Sequence, residues 1–218
     1  MIVAVIADIV GSRRLPDRAA SQRVFEDTIA QVESDLATCG FQQPIEPLTA
    51  TVGDEFQTVY ATLEGALTAT LLIQLALPEG HQLRFGVGVG GGTIVDTPDH
   101  PLHDGPAWWA ARTAIDTTHR QAERAIPTTR IRVTAGNDQD AGMLEVIHHA
   151  NAYLLVRDHL IAAMSNRERR LTYGRCLGHT QSTLAEAEGI TQPGVSQALA
   201  VAGAAAIIEG LRPWKEKA

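Results

Sequence analysis

The sequence predicts an α+β fold: a sheet covered by helices, followed by a small all-α unit. Three observations carry this. Apolar runs of strand length alternate with longer stretches of helical apolar spacing, in the order β-α-β-β-α-β-α-β through residue 134. Two short helical segments near the C-terminus flank a glycine. Charge also divides along the chain. Residues 1–164 hold 11 Arg against 20 acids, a net of −9, and residues 165–218 hold 7 bases against 5 acids, a net of +2.

Ile2–Ala7 is a continuous apolar run and reads as a buried strand. From Asp17 to Thr38, Val24, Phe25, Ile29, Val32 and Leu36 keep helical spacing, and Gly40 supplies the stop. Leu48–Val52 and Phe56–Ala61 flank the turn Gly53-Asp54-Glu55, a strand–turn–strand pattern. Leu63–Leu77 is an apolar helix ended by Pro78-Glu79-Gly80, and Leu83–Val89 is a further strand that Ile94-Val95 extends or re-enters. Asp96–Pro106 is a loop, Ala107–Ala125 a helix stopped by Pro127, and Ile131–Thr134 a short strand. Asp140–Met164 is a long helix with Leu144, Ile147, Leu154 and Ile161 on its apolar side. The order suggests a ferredoxin-like antiparallel sheet with helices on one face. The chain then divides into a sheet domain at 1–138, a connecting helix at 139–164 and a helical domain at 165–218.

The 218 residues carry 18 Lys+Arg against 25 Asp+Glu, with 44% hydrophobic and 20% charged residues, which excludes disordered and collagen-like classes. Only Lys215 and Lys217 are lysines, so no P-loop or Schiff-base lysine exists in the body. The acidic body argues against broad nucleic-acid binding there. Cys39 and Cys176 lie far apart, the first residues lack a basic n-region, and no run of 18 apolar residues occurs. The expectation is a reduced cytoplasmic setting with no membrane partner.

Asp8 ends the first strand and Asp54 occupies the hairpin turn, so a ferredoxin-like sheet can bring the two together. Two carboxylates about 4 Å apart repel by roughly 4 kcal/mol at an effective dielectric near 20. A site that keeps both needs a shared proton or a divalent cation. Mg²⁺ suits it, taking one or two carboxylates and filling its other positions with water and phosphate oxygens. Gly11 and Ser12 offer a donor-rich floor for phosphate beside Asp8. The plainer alternative stays open: Asp8 as a cap and Asp54 as a turn former.

The motifs resemble a known family. Asp8-Ile9-Val10-Gly11-Ser12 is similar to the first-strand motif of class III nucleotidyl cyclases. Val52-Gly53-Asp54-Glu55-Phe56 resembles their second metal motif and the Gly-Gly-Asp-Glu-Phe signature of diguanylate cyclases. Leu83–Gly92 resembles the glycine-rich strand of cyclases, and Asp104–Arg112 sits where they place Gly-x-x-Val-Asn-x-Ala-x-Arg. Taken with its tail, the chain most resembles the SatD family, whose members join such a domain to a helix-turn-helix. The resemblance implies Asp8 and Asp54 as metal ligands, Arg112 as a phosphate clamp, and a homodimer in any active form. It also exposes departures. The base-reading lysine of adenylyl cyclases falls on Ala50, and the asparagine that supports their transition state falls on Trp108. Loss of one such donor costs about 10²–10³ in rate. A degenerate site that binds metal and phosphate is the expectation, and catalytic residues are not assigned.

Gly86-x-Gly88-x-x-Gly91 matches a dinucleotide fingerprint by letter, but no helix follows it, so its glycines read as close backbone packing. His100 with His103, and His148 with His149, lack further ligands at zinc spacing. Trp108 and Trp109 read as hydrophobic cover or a dimer contact.

Thr180–Ala187, the turn Glu188-Gly189-Ile190 and Thr191–Ala202 read as a helix-turn-helix, with Ala185, Gly189 and Val195 at its small, turn and apolar positions. Gln181, Gln192, Ser196 and Gln197 are its candidate DNA-reading residues. No Lys or Arg lies between Arg175 and Arg212, so phosphate contacts would come from Arg167, Arg169, Arg170 and Arg175 before it, or from Arg212, Lys215 and Lys217 after it. A packing role for the unit is the alternative. Three readings follow: a cytoplasmic ligand-responsive regulator that binds a nucleotide or phosphate through Mg²⁺, an active nucleotidyl cyclase, or a ligand-free adaptor.

Overall fold

The computed structural model describes residues 1–12, 15, 17–51, 53–95 and 102–215. It is a mixed α+β structure with a five-stranded sheet and, among the described residues, eight helices. The strands are β1 (Ile2–Ile9), β2 (Glu46–Ala50), β3 (Glu55–Tyr60), β4 (Leu83–Gly90) and β7 (Ile131–Ala135), in the order β2-β3-β1-β4-β7. Strand β5 (Thr93–Val95), which contains the Ile94-Val95 pair read as extending or re-entering the sheet, pairs instead with β6 (Leu102–Asp104), inside the stretch read as a loop, in a separate two-stranded ribbon. Three-residue strands are too short to leave a period in the sequence.

Strand β1 pairs antiparallel with β3 and β4, and β2 with β3, whereas β7 joins β4 in parallel. The expectation of an antiparallel sheet is therefore corrected at this edge. The expectation of helices on one face is corrected as well. Val3, Val5, Ala7 and Ile9 of β1 pack with Phe25, Ile29, Val32 and Leu36 of α1 (Arg18–Thr38). Ala4 and Ile6 pack on the opposite face with Ala107, Trp108, Ala111 and Ile115 of α3 (Pro106–Arg124). A strand apolar at every position from Ile2 to Ala7 needs cover on both sides. The glycines of β4 let α3 come close: a Cβ at Gly88 would sit 1.9 Å from the Ala107 carbonyl oxygen, and one at Gly86 2.3 Å from that of Ala111.

Helix α2 (Leu63–Ala76) is buried all round its circumference, so α1 and the sheet do not suffice to cover it. Its outer side is met by α5 (Asn166–Cys176) and α8 (Ala204–Lys215). One continuous apolar cluster consequently runs from the sheet through Leu171, Val195 and Leu211. Helix α5 was not legible as an apolar period, whereas Ala204, Ile207 and Leu211 of α8 keep helical spacing and are buried. The start of α5 carries a capping box, Ser165 with Glu168, which is a readable signal.

Helix α4 (Ala141–Ala163) runs against β7 and buries Ile147, Leu154 and Ile161. Leu144, placed on the apolar side from spacing, is exposed instead. Two charged residues of α4 are fully buried, Arg157 and Asp158. Asp158 Oδ2 accepts from the backbone N–H of Arg130 at 2.6 Å and of Ile131 at 3.0 Å, fixing α4 to the start of β7. Helices α6 (Gln181–Glu188) and α7 (Gln192–Val201) are joined through Gly189, whose φ of 63° lies in the left-handed region. Ala185 and Val195 are buried between them. Among the described residues no single helix is long and apolar enough to cross a membrane.

Candidate functional site

The site is set by strand register. Asp8 stands opposite Glu55 on β3 and Arg84 on β4, so three charged side chains line up across three adjacent strands. Side chains alternate along β1, and Asp8 follows Ala4 and Ile6 on the face covered by α3. That helix supplies Arg112 and, two turns later, His119.

The row is bonded in two sets, Glu55 with Arg112 and Asp8 with Arg84 and His119. Arg112 forms a bidentate pair with Glu55, Nη1 to Oε2 at 2.6 Å and Nη2 to Oε1 at 2.8 Å. Arg84 Nη1 donates to Asp8 Oδ2 at 3.1 Å and also meets His119 Nδ1. His119 Nε2 lies 3.0 Å from Glu123 Oε1. The tautomer that satisfies both contacts carries its proton on Nε2, donating to Glu123, and accepts from Arg84 at Nδ1. Hydrogen bonding to Glu55 holds the Arg112 guanidinium above its ordinary pKa, against its partial burial.

Asp8 has a second, unused oxygen. Among the described residues Oδ1 is buried with no hydrogen-bond partner, as is Arg84 Nε. Burial pushes the Asp8 carboxyl above the usual carboxylate range; Arg84 and His119 pull it back down, while Asp54 and Glu55 push it up again. The net shift is upward, despite the ion pair.

Asp8, Gly11, Ser12 and Asp54 line one cleft of about 740 Å³, together with Arg84, His119 and Arg130. Gly53 and Gly11 hold the two turns that present these groups, with φ of 79° and 72°. Arg112 is not among the lining residues and is committed to Glu55. Sequence reasoning missed Arg84 and His119. Arg84 was legible as the single charge in a strand buried at every position, and His119 by its spacing of seven from Arg112.

The metal question can be put to these residues. Among the described residues no group of three or more His, Cys, Asp or Glu is placed to hold a metal ion. Mg²⁺ does not need three, since it keeps several waters and takes one or two carboxylates. An orphaned carboxylate oxygen on Asp8, with Asp54 in the same cleft, fits that demand. The Arg84 contact occupies only Oδ2.

Elsewhere, Trp108 is buried and stacks on His103 at 4.9 Å between ring centroids, so it serves as cover for the sheet. His100, Val52 and Lys217 lie outside the described residues. His148 and His149 contact each other edge-on, 5.9 Å apart. On α6 and α7, Gln192 Nε2 donates to Gln181 Oε1 at 2.7 Å, while Ser196 and Gln197 are exposed. Of the neighbouring bases, Arg170 forms a bidentate pair with Glu188 at 2.6 and 2.8 Å, and Arg167 reaches the same carboxylate at 3.6 Å.

No curated protein matches the chain. Among solved structures it is similar to a bacterial light-regulated adenylyl cyclase, at 12% identity over 55% of this chain and 70% of that one, with a TM-score of 0.40. It is also similar to the guanylyl cyclase domain of the RhoGC fusion protein from the aquatic fungus Blastocladiella emersonii, at 16% identity over 53% and 73%, TM-score 0.37. A third is the guanylyl cyclase Cya2, at 12% identity over 56% and 76%, TM-score 0.39. The Asp8 and Asp54 motifs, the glycine-rich β4 and most of the α6–α7 pair fall inside the stretch matched by the SatD family model, residues 2–195, and the chain belongs to the SatD family.

Proposed function

We propose that this SatD protein is a cytoplasmic regulator whose cyclase-like domain binds Mg²⁺ and a nucleotide or phosphate ligand in the Asp8–Asp54 cleft. The observation that carries the reading is the buried, unpartnered Oδ1 of Asp8 in a cleft that also holds Asp54, Gly11 and Ser12. When bound, Mg²⁺ supplies charge neutralisation between the carboxylates and the phosphates. Asp8 and Asp54 hold it, and the backbone around Gly11 and Ser12 receives phosphate oxygens. Arg84 and Arg130 already stand in the cleft as guanidinium donors. Arg112 acts as a clamp only if it gives up Glu55.

We read the strand order β2-β3-β1-β4 with its β1-α1-β2-β3-α2-β4 connections as ferredoxin-like, with β7 added. We read α6–α7 as a helix-turn-helix, supported by Gly189 at its turn and by buried Ala185 and Val195. The division 1–138, 139–164, 165–218 follows from that reading, and the homodimer is carried over from the cyclase resemblance. Gln181, Gln192, Ser196 and Gln197 then face DNA or a protein partner.

Calorimetric titration with ATP and GTP in Mg²⁺ tests the first half: wild type binds and Asp8→Ala does not. Absent binding, or binding unchanged in the variant, would return the protein to a ligand-free adaptor, the reading favoured by the Asp8–Arg84 ion pair. Pyrophosphate release in the same mixture would instead make it an enzyme. For the second half, log affinity for duplex DNA falls against log salt with a slope of only a few units, because few bases flank the motif. A flat response assigns the unit to protein contact.

A further inference from the structure

We propose that a second cavity, between the end of α2, the end of α4 and the start of α5, is a binding site for a small organic anion with an apolar body. The cavity has a volume of about 370 Å³, at the small end of ligand pockets, which run from roughly 300 to 1,000 Å³. Leu77, Leu83, Ile161 and Met164 give it an apolar wall, each at most 8% exposed. Arg130 and Arg169 supply its cations.

The case for an anion rests on which charges are already answered. Asp158 is on the wall, but its oxygens accept from two backbone N–H groups and from Gln74, and Arg157 lies 3.9 Å away. Glu79 is also on the wall; it accepts from the neutral Asn166 Nδ2 at 2.7 Å and acts on Arg169 at longer range, without an ion-pair contact. The two arginines make no such contact with a charged partner. Arg130 donates only to neutral oxygens: the Gln82 side chain and the Pro127 and Thr129 carbonyls. Arg169 donates through Nη2 to Asn166 Oδ1 at 2.6 Å, and its Nε–H is buried with no acceptor among the described residues. Among the described residues neither guanidinium pairs with a carboxylate. Burial lowers the pKa of both, and the nearby carboxylates of Asp158 for Arg130 and Glu79 for Arg169 offset it only in part. A carboxylate accepts a bidentate fork from such a group and relieves the cost of that burial.

Position adds a consequence. Arg130 lines both this cavity and the Asp8 cleft, whereas Arg169 and Asn166 belong to α5, which leads to α6 and α7. An anion here touches both halves of the molecule.

The test is calorimetric titration of the full chain with hexanoate and benzoate, with hexan-1-ol as the uncharged control. Wild type binds both carboxylates and not the alcohol. Arg169→Gln weakens them about tenfold or more, as loss of a charged hydrogen bond does. Asp8→Asn leaves them unchanged, which separates this site from the nucleotide cleft. Undetected carboxylate binding, equal binding of hexan-1-ol, undiminished binding in Arg169→Gln, or loss of binding in Asp8→Asn would each overturn the proposal.

Discussion

Asp8→Asn raises the thermal midpoint at neutral pH while abolishing Mg²⁺-dependent nucleotide binding. The two effects have one cause. Burial raises the Asp8 carboxyl above its unfolded value, so the folded state holds its proton more tightly than the unfolded state does. Stability from this group is therefore complete below the unfolded carboxylate pKa and falls as pH rises through the folded one. Asparagine keeps the shape and an acceptor for Arg84 without the buried charge. The advantage of the variant grows from acid to neutral pH and then levels. Addition of Mg²⁺ and nucleotide raises the wild-type midpoint by mass action and leaves that of the variant unmoved. Paired melts from acid to neutral pH check both. A variant less stable than wild type at neutral pH would mean that the Arg84 ion pair outweighs the burial cost.

Asp158→Ala produces the largest loss of stability, about 3–5 kcal/mol, the usual effect of removing one partner of a buried ion pair. In a chain of 218 residues that is a fall of roughly 6–20 °C in midpoint. Alanine strands Arg157, which is 1% exposed, and leaves the N–H groups of Arg130 and Ile131 without their acceptor. Burial pushes the Asp158 carboxyl up, so this residue contributes through its hydrogen bonds and its pairing with Arg157 against a standing desolvation cost. Asp158→Asn retains an acceptor for the backbone and loses less. Equal losses in the two variants would place the effect in charge alone. A loss below about 1 kcal/mol for alanine would show that the pair has no structural role.

Legibility from sequence followed physical cause. The helix α1 was readable because Phe25, Ile29, Val32 and Leu36 face one core, and all four are buried. The turn at Gly53 was readable because a φ of 79° restricts the choice of residue. The glycines of β4 were correctly separated from a nucleotide fingerprint, since Gly86 and Gly88 admit the backbone of α3. The second covered face of the sheet was not read, although the unbroken apolar run of β1 is a sign of it. Helix α5 is rich in arginine, so its contact with α2 leaves little period in its own sequence. Within the site, Asp8, Asp54, Gly11 and Ser12 emerged from motif spacing and share one cleft. Arg84 and His119 did not: a lone charge in an apolar strand and a spacing of seven from Arg112 mark them, but what they contact is set by cross-strand register and the packing of α3. Arg112 was singled out as a clamp, but its pairing with Glu55 is a tertiary contact of the same kind.

The central claim is that Asp8 and Asp54 together hold a divalent ion for a phosphate ligand. Its most direct test is a crystal structure of the protein with Mn²⁺ and ATP, located by the anomalous signal of manganese. The account predicts one metal peak bonded to Asp8 Oδ1 and to an Asp54 oxygen, at a distance close to the roughly 2.1 Å of Mg²⁺ sites, with Arg84 still on Oδ2 and phosphate oxygens beside Gly11 and Ser12. Nucleotide bound elsewhere, or a cleft without metal in which Asp8 keeps only Arg84, would contradict it.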